Sequence, residues 1–223
     1  MVAIQVDGSF HEGGGQILRT ALSLSALLKQ PFEVVNIRSG RPSPGLRPQH
    51  LAGVNAVAKL CSATVEGAEI GSQALKFYPR DSRGKPLNVD IGTAGSITLL
   101  TQSLLLPALF AVKNFKLNAT GGTDVPFSPP AAYFSEVLLP HLRKFCEKTE
   151  FNVSRRGFVP VGAGKADFMV RPKFIRGPNT GIPDFIAKLR TPATRIKLLG
   201  QGKLLKVRGV SIASNDQHNL SLC

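Results

Sequence analysis

Two stretches of this chain can be laid over one another, and that repetition constrains its fold more than any other feature. GGGQILRTALSLSALL, beginning at Gly13, and TAGSITLLTQSLLLPALF, beginning at Thr93, superpose with Gly15 on Gly95. Each reads as a glycine-rich turn leading into an apolar helix, glycine permitting a tight turn before the helix N-terminus. The match continues downstream. Residues 32–37 and 115–119 read as short strands, each followed by glycine (Gly40; Gly121 and Gly122). A proline-containing loop then leads to a second helix, residues 49–61 in one copy and 130–146 in the other. Two strand-like runs close each copy, 63–66 and 74–78, then 150–154 and 166–170, although the alternation in LKFYP and DFMVRP is weak. The unit is strand, helix, strand, helix, strand, strand. A chain carrying it twice stacks the copies on a shared core. Cys61 and Cys146 fall at matching helix ends, where a small buried hydrophobe is the plain reading.

Beyond residue 172 the character changes. KFIRGPNTGIPDFIAKLRTPATRIKLLGQG reads as irregular or as an insertion, residues 202–212 recover strand character, and SNDQHNLSLC shows no pattern that completes a helix. The basic residues concentrate here as well. Of a net charge of +14, residues 1–150 hold 15 Lys and Arg against 11 Asp and Glu, while residues 151–223 hold 13 against 3. Such an excess favours a polyanionic partner, because neutralised phosphates release counterions; a solvated basic surface is the alternative.

Other classes are disfavoured. Three widely separated cysteines, Cys61, Cys146 and Cys223, make neither a disulfide framework nor a zinc pattern, which suits a reducing compartment. MVAIQVDG lacks the features of a secretory signal. The longest apolar run, 97–112, is interrupted by Gln102 and Pro107 and is shorter than the roughly 20 residues a membrane span needs, so a buried helix is expected.

Three clusters carry possible chemistry. In Asp7-Gly-Ser-Phe-His-Glu12-Gly-Gly-Gly-Gln16, three glycines opening a helix leave backbone N–H groups and a helix dipole facing an anion, with Glu12 a candidate Mg²⁺ ligand. The alternative is a glycine-rich helix start with Glu12 as a favourable first-turn acid. In Arg38-Ser-Gly-Arg41-Pro-Ser-Pro-Gly-Leu-Arg47-Pro-Gln49-His50, three arginines between rigid prolines suit bidentate phosphate recognition, and Gln49 and His50 add donors. In Gly121-Gly-Thr-Asp124-Val-Pro126-Phe127-Ser-Pro129-Pro130-Ala-Ala-Tyr133-Phe134, a rigid loop with aromatic neighbours suits an apolar slot for a base, while core packing of Phe134 fits equally. Gln102, polar within an apolar helix, needs partners if buried, either structural or from a ligand.

DGSxxEGGGQILR, IRSGRPSPGLRPQHL, CSATVEGAEIGS, TAGSITLLTQ, GGTDVPxSPP and RGFVPVGAG, in this order across about residues 4–172, resemble the successive blocks of RNA 3′-terminal phosphate cyclases. The resemblance implies an α/β (α+β) fold of repeated βα units shared with enolpyruvate transferases. Residues 1–172 would form the large domain (repeat one about 1–80, repeat two about 81–172). Residues 173–223 would be a basic connecting segment and the start of an inserted domain with a divergent tail, the third repeat and most of the insertion missing. It also implies that ATP and a divalent ion, Mg²⁺ or Mn²⁺, serve to adenylylate a histidine. AMP then passes to an RNA 3′-phosphate, and a 2′,3′-cyclic phosphate forms. By position, Glu12 becomes the metal carboxylate. Arg19, Arg38, Arg41, Gln49 and His50 gather phosphates, and Gln102, Pro129, Pro130 and Phe134 bind ATP. The family's nucleophilic histidine is expected outside this chain, Asp216, Gln217 and His218 lying in a different block and His11 being a local feature. RNA 3′ ends are the implied partners, with neither membrane nor DNA. An intracellular location, nuclear or cytoplasmic, is implied too. The cyclase-like branch, a non-catalytic factor in ribosomal RNA processing and ribosome biogenesis, is the alternative, and the intact set Glu12, Arg38, Arg41, Gln49 and His50 favours the enzyme branch.

Overall fold

A computed structural model describes residues 2–80, 86–177, 180–196, 199–200, 202–209 and 211–213. The fold is mixed α/β, and its duplication is complete. Repeat one runs β1 (Ile4–Asp7), α1 (Gly15–Leu28), β2 (Phe32–Val35), α2 (Pro48–Cys61), β3 (Thr64–Glu66) and β4 (Leu75–Tyr78). Repeat two runs β5 (Leu87–Asp90), α3 (Ile97–Leu109), β6 (Phe115–Gly121), a broken helix, β7 (Cys146–Arg155) and β8 (Gly164–Pro172). Each forms a four-stranded sheet with the same connectivity, β1-β2-β4-β3 and β5-β6-β8-β7. The first two strands of each are parallel and the rest antiparallel.

Side-chain alternation explains the strands. Phe32 and Val34 on β2 and Leu75 and Phe77 on β4 point into the core, as do Phe115, Leu117 and Ala119 on β6. On β8 the inward set is Ala166, Phe168 and Val170, so the alternation that looks weak in the sequence is regular in the sheet. With no tryptophan, phenylalanine supplies the aromatic packing: Phe134 meets Phe151 at 4.9 Å and Phe168 at 6.1 Å between centroids, and Phe115 meets Phe168 at 6.1 Å. Helices α1, α2 and α3 pack on one another, and α2 also rests on β5, so one continuous core serves both repeats. The run 97–112 becomes α3, buried on nearly every side, as a central helix is. Among the described residues no helix is long and apolar enough to cross a membrane.

Four sequence expectations need correction. The helix placed over 130–146 is broken into α4 (Ala131–Tyr133), a π-helical turn (Phe134–Leu138) and α5 (Leu139–Leu142). Cys146 opens β7 because Pro172 of the long partner strand β8 pairs back to it, whereas Cys61 does end α2. Burial raises both thiols, Cys61 to about 11, in keeping with a packing role. The segment after β8 is not wholly irregular. Arg176 donates from its backbone to the Phe110 carbonyl and from Nη1 to that of Leu27, and α6 (Ile182–Leu189) follows, Phe185 packing on Phe110 at 5.1 Å. Proline in its first turn suits a helix start, a signal hidden among the neighbouring glycines. The described residues of 202–212 form no strand, since Leu204, Leu205 and Val207 stand exposed with no strand beside them.

A shared core predicts shared unfolding. Phe77→Ala in one sheet and Phe168→Ala in the other should each cost about 3–5 kcal/mol. In urea denaturation each should move a single transition, whereas two separable transitions would mean that the repeats fold independently.

Candidate functional site

The duplication presents two equivalent glycine-rich helix starts, and the structure treats them differently. In repeat two the turn before α3 is closed. The Ser96 N–H donates to Gln49 Oε1 (2.7 Å), the Ile97 N–H to the Gly122 carbonyl (2.8 Å), and the Leu99 N–H to Ser96 Oγ (3.2 Å). In repeat one the turn before α1 has Gly14 as its cap residue, with no side-chain cap and no acid in the first turn. The N–H groups that begin a helix need partners, and their partial positive charge favours an anion.

Donors surround that open start. Arg41 Nη2 lies 3.3 Å from Glu12 Oε2, and a methyl group built on Gly14 would stand 3.3 Å from the same Nη2 and 3.1 Å from Glu12 Oε1. A methyl on Gly15 would stand 2.2 Å from His50 Nε2 and 3.2 Å from Arg19 Nη1. Only glycine at 15 lets these groups close over the helix end. His50 Nδ1 accepts the Arg47 N–H (3.2 Å), so Nε2 carries the ring proton and faces Gly15 as a donor. Burial first, then Arg38, Arg19 and Arg47, lower His50 from 6.5 to about 4. Burial likewise lowers Arg19. Arg19, Gln49 and His50 line one cleft between α1, α2 and α3. With Gln49 Oε1 held by Ser96, its Nε2 is the end left to donate.

Arg38 stands slightly apart. At φ +53 it turns its own loop, its Nη1 donating to the Ser43 (2.6 Å) and Gly45 (2.9 Å) carbonyls. It shapes the arginine loop and adds positive potential to it. Glu12 is largely exposed, and among the described residues no group of three His, Cys, Asp or Glu is arranged to hold a metal ion. With a single carboxylate here, a Mg²⁺ ion would have to take most of its oxygens from a ligand's phosphates and from water.

The residues expected at ATP lie on the second repeat. Gln102 is half-buried on α3, on the stripe with Leu99 and Leu106. Pro129 accepts a hydrogen bond from Thr98 Oγ1 (2.8 Å), and Pro130 is an exposed residue capping α4. Phe134 is fully buried among Phe151 and Phe168, which is the core-packing alternative; the accessible rings beside it are Tyr133 and Phe127. The two halves are joined by a buried polar relay that residue types alone did not disclose: Gln49 to Ser96, Ser96 Oγ to Thr98 Oγ1 (2.8 Å), Thr98 to Pro129. The signal was present as Gly-Ser-Ile-Thr, a serine cap at the start of α3. His11 and His141 are exposed and outside the donor cluster, while Asp216, Gln217, His218 and Cys223 lie outside the described residues.

The buried His50 gives a pH prediction. Its folded value lies below its unfolded one, so between about pH 6.5 and 4 the unfolded chain holds a proton that the folded chain lacks, and stability falls as pH falls. From pH 7 to pH 5 this site should remove about 2 kcal/mol of unfolding free energy. Denaturation of wild type and His50→Gln at both pH values tests this, since the variant should lose most of that dependence.

Comparison with known proteins bears on the same residues. A family model described as RNA 3′-terminal phosphate cyclase matches residues 10–218. Proteins named RNA 3′-terminal phosphate cyclase are similar to the chain. The one from Archaeoglobus fulgidus is 48% identical over 174 residues, covering 78% of this chain and 53% of the relative. The one from Pyrococcus furiosus is 49% identical over 169 residues (76% and 49%), and that from Hyperthermus butylicus 46% over 211 residues (94% and 54%). The chain thus spans about half the length of the curated relatives it matches. With the family match running from the glycine-rich turn through both sheets, this chain belongs to the RNA 3′-terminal phosphate cyclase family.

Proposed function

We propose that the chain provides the phosphate-gripping part of an enzyme that converts an RNA 3′-terminal phosphate to a 2′,3′-cyclic phosphate at the expense of ATP. The observation that carries this reading is the open start of α1, ringed by Arg19, Arg41 and His50 while its twin at α3 is closed. In the reaction AMP passes from ATP to the terminal phosphate with loss of pyrophosphate. The neighbouring 2′-hydroxyl then attacks that phosphorus and AMP departs. Each step changes the charge on phosphate oxygens, and fixed donors that need no rearrangement stabilise such change best. Arg41 and Arg19 would take the phosphate oxygens, His50 Nε2–H and Gln49 Nε2 would complete the set, and Arg38 would keep the loop in place. Glu12 would hold a divalent ion, whose chemistry is to neutralise phosphate charge. Gln102, Pro129 and Pro130 would face the nucleotide, with Tyr133 in place of the buried Phe134.

His50 serves here as a donor and not as the group that carries AMP. Its Nδ1 lone pair is taken by the Arg47 N–H and its Nε2 bears the proton, so neither nitrogen is free to attack phosphorus. Labelled ATP with Mg²⁺ or Mn²⁺ should therefore leave no acid-labile AMP on His50. An adduct mapped to that ring by mass spectrometry would contradict the assignment.

Phosphate recognition makes a separate prediction. Arg41→Ala should weaken binding of RNA ending in a 3′-phosphate by about 1.5–3 kcal/mol, ten-fold or more, and leave 3′-hydroxyl RNA nearly unchanged. Equal losses for both RNAs would reduce the loop to a general basic surface.

A further inference from the structure

Beside the open start of α1 lies a groove of about 450 Å³, open to solvent, between β1 and the outer face of α1. Val6, Ile17 and Leu24 form its apolar walls, and Phe10, Glu12 and Gly14 stand at the end nearest the donor cluster. Phe10 is 65% exposed, and the His11 ring packs edge-on against it at 4.2 Å between centroids, so one aromatic face stays free. The loop that presents it is braced. Asp7 Oδ1 accepts from the Ser9 N–H (2.9 Å) and from Ser9 Oγ (2.7 Å), and the Gly13 N–H donates to the Phe10 carbonyl (3.1 Å). His11 sits at φ +53, a region costly to a residue other than glycine.

We propose that this groove takes the terminal nucleobase of the RNA whose 3′-phosphate is held at Arg41 and Gly15, with Phe10 as the stacking platform and His11 holding its ring. The inference rests on the phosphate reading given above. Continuity argues for this occupant, because Glu12 and Gly14 line the groove and also touch the Arg41 cluster, and a base lies one ribose away from its 3′-phosphate. Local charge argues for it as well, since Arg41 stands beside Glu12 and Gly14 at the rim of the groove, where it would meet the phosphate joined to that base. The walls offer aromatic and aliphatic surface and few hydrogen-bonding groups, so the groove favours a base over an empty position and reads its identity weakly.

Fluorescence anisotropy with short RNAs tests it, the last residue being either adenosine or an abasic ribose and each ending in a 3′-phosphate or a 3′-hydroxyl. The wild-type chain should prefer the adenosine end to the abasic end by about 10-fold when both carry the 3′-phosphate. Phe10→Ala should abolish that ratio while keeping the preference for 3′-phosphate over 3′-hydroxyl, and Phe10→Trp should restore it. Because Phe10 is mostly exposed, thermal melts of both variants should match wild type. A base preference unchanged in Phe10→Ala, with the phosphate preference intact, overturns the groove assignment alone. Absence of any phosphate preference in wild type overturns the underlying reading and this one together. Self-association of wild type, seen by sedimentation and lost in Phe10→Ala, would give the groove to a protein partner and also overturn it.

Discussion

The first turn of α2 holds the two repeats in register. Gln49 reaches across to repeat two and accepts the Ser96 N–H, while His50, the next residue, leans back over Gly15 in repeat one. Neither contact is strong alone; a net hydrogen bond contributes about 1 kcal/mol. Their importance lies in what would follow from their loss. Ser96 is almost completely buried, and its N–H would be left unsatisfied in a low-dielectric interior. Side chains at both glycine turns would have no room, since a methyl on Gly95 would stand 2.6 Å from Ile91 Cγ2 and 3.0 Å from Gln49 Cβ, and one on Gly15 2.2 Å from His50 Nε2. Two adjacent residues therefore bear on both helix starts, with Ile91 and the Gly122 carbonyl completing the one at α3.

Around that constraint the two repeats depart from symmetry. Both repeats share one topology, yet the loop between the second strand and second helix differs. In repeat one it carries Arg38, Arg41 and Arg47, and among the described residues Glu12 at Arg41 is the carboxylate paired with them. In repeat two the corresponding loop carries Asp124, which accepts from Arg156 at 2.8 Å and from Thr123 at 2.7 Å and so is neutralised internally. One glycine turn is closed by Gln49, and the other has no side-chain cap and lies among arginines. The two equivalent helix starts thus differ in closure because the loops beside them differ.

Much of this was legible in the sequence because it is local. Glycine turns, apolar helices and the strands of 32–37 and 115–119 report themselves through short-range pattern, and the arginine loop through its density of guanidinium groups. What escaped depends on partners distant in the chain. β7 begins at Cys146 only because β8 is long enough to pair with it, and residues 202–209 look strand-like yet have no neighbouring strand among the described residues. Phe134 and Tyr133 are adjacent in the sequence, and only the packing of Phe151 and Phe168 decides which ring is buried. The relay from Gln49 through Ser96 and Thr98 to Pro129 spans both repeats and cannot be read from either alone.

On the proposed function, the start of α1, and not that of α3, receives the RNA 3′-phosphate. Backbone amide resonances report on this directly. In a titration of the ¹⁵N-labelled chain with a short RNA ending in a 3′-phosphate, the amides of Gly14, Gly15 and Gln16 should shift strongly, those of Ser96 and Ile97 should stay in place, and a 3′-hydroxyl RNA should reproduce little of the change. Equal shifts at both helix starts, or shifts confined to the basic residues after β8, would contradict the account.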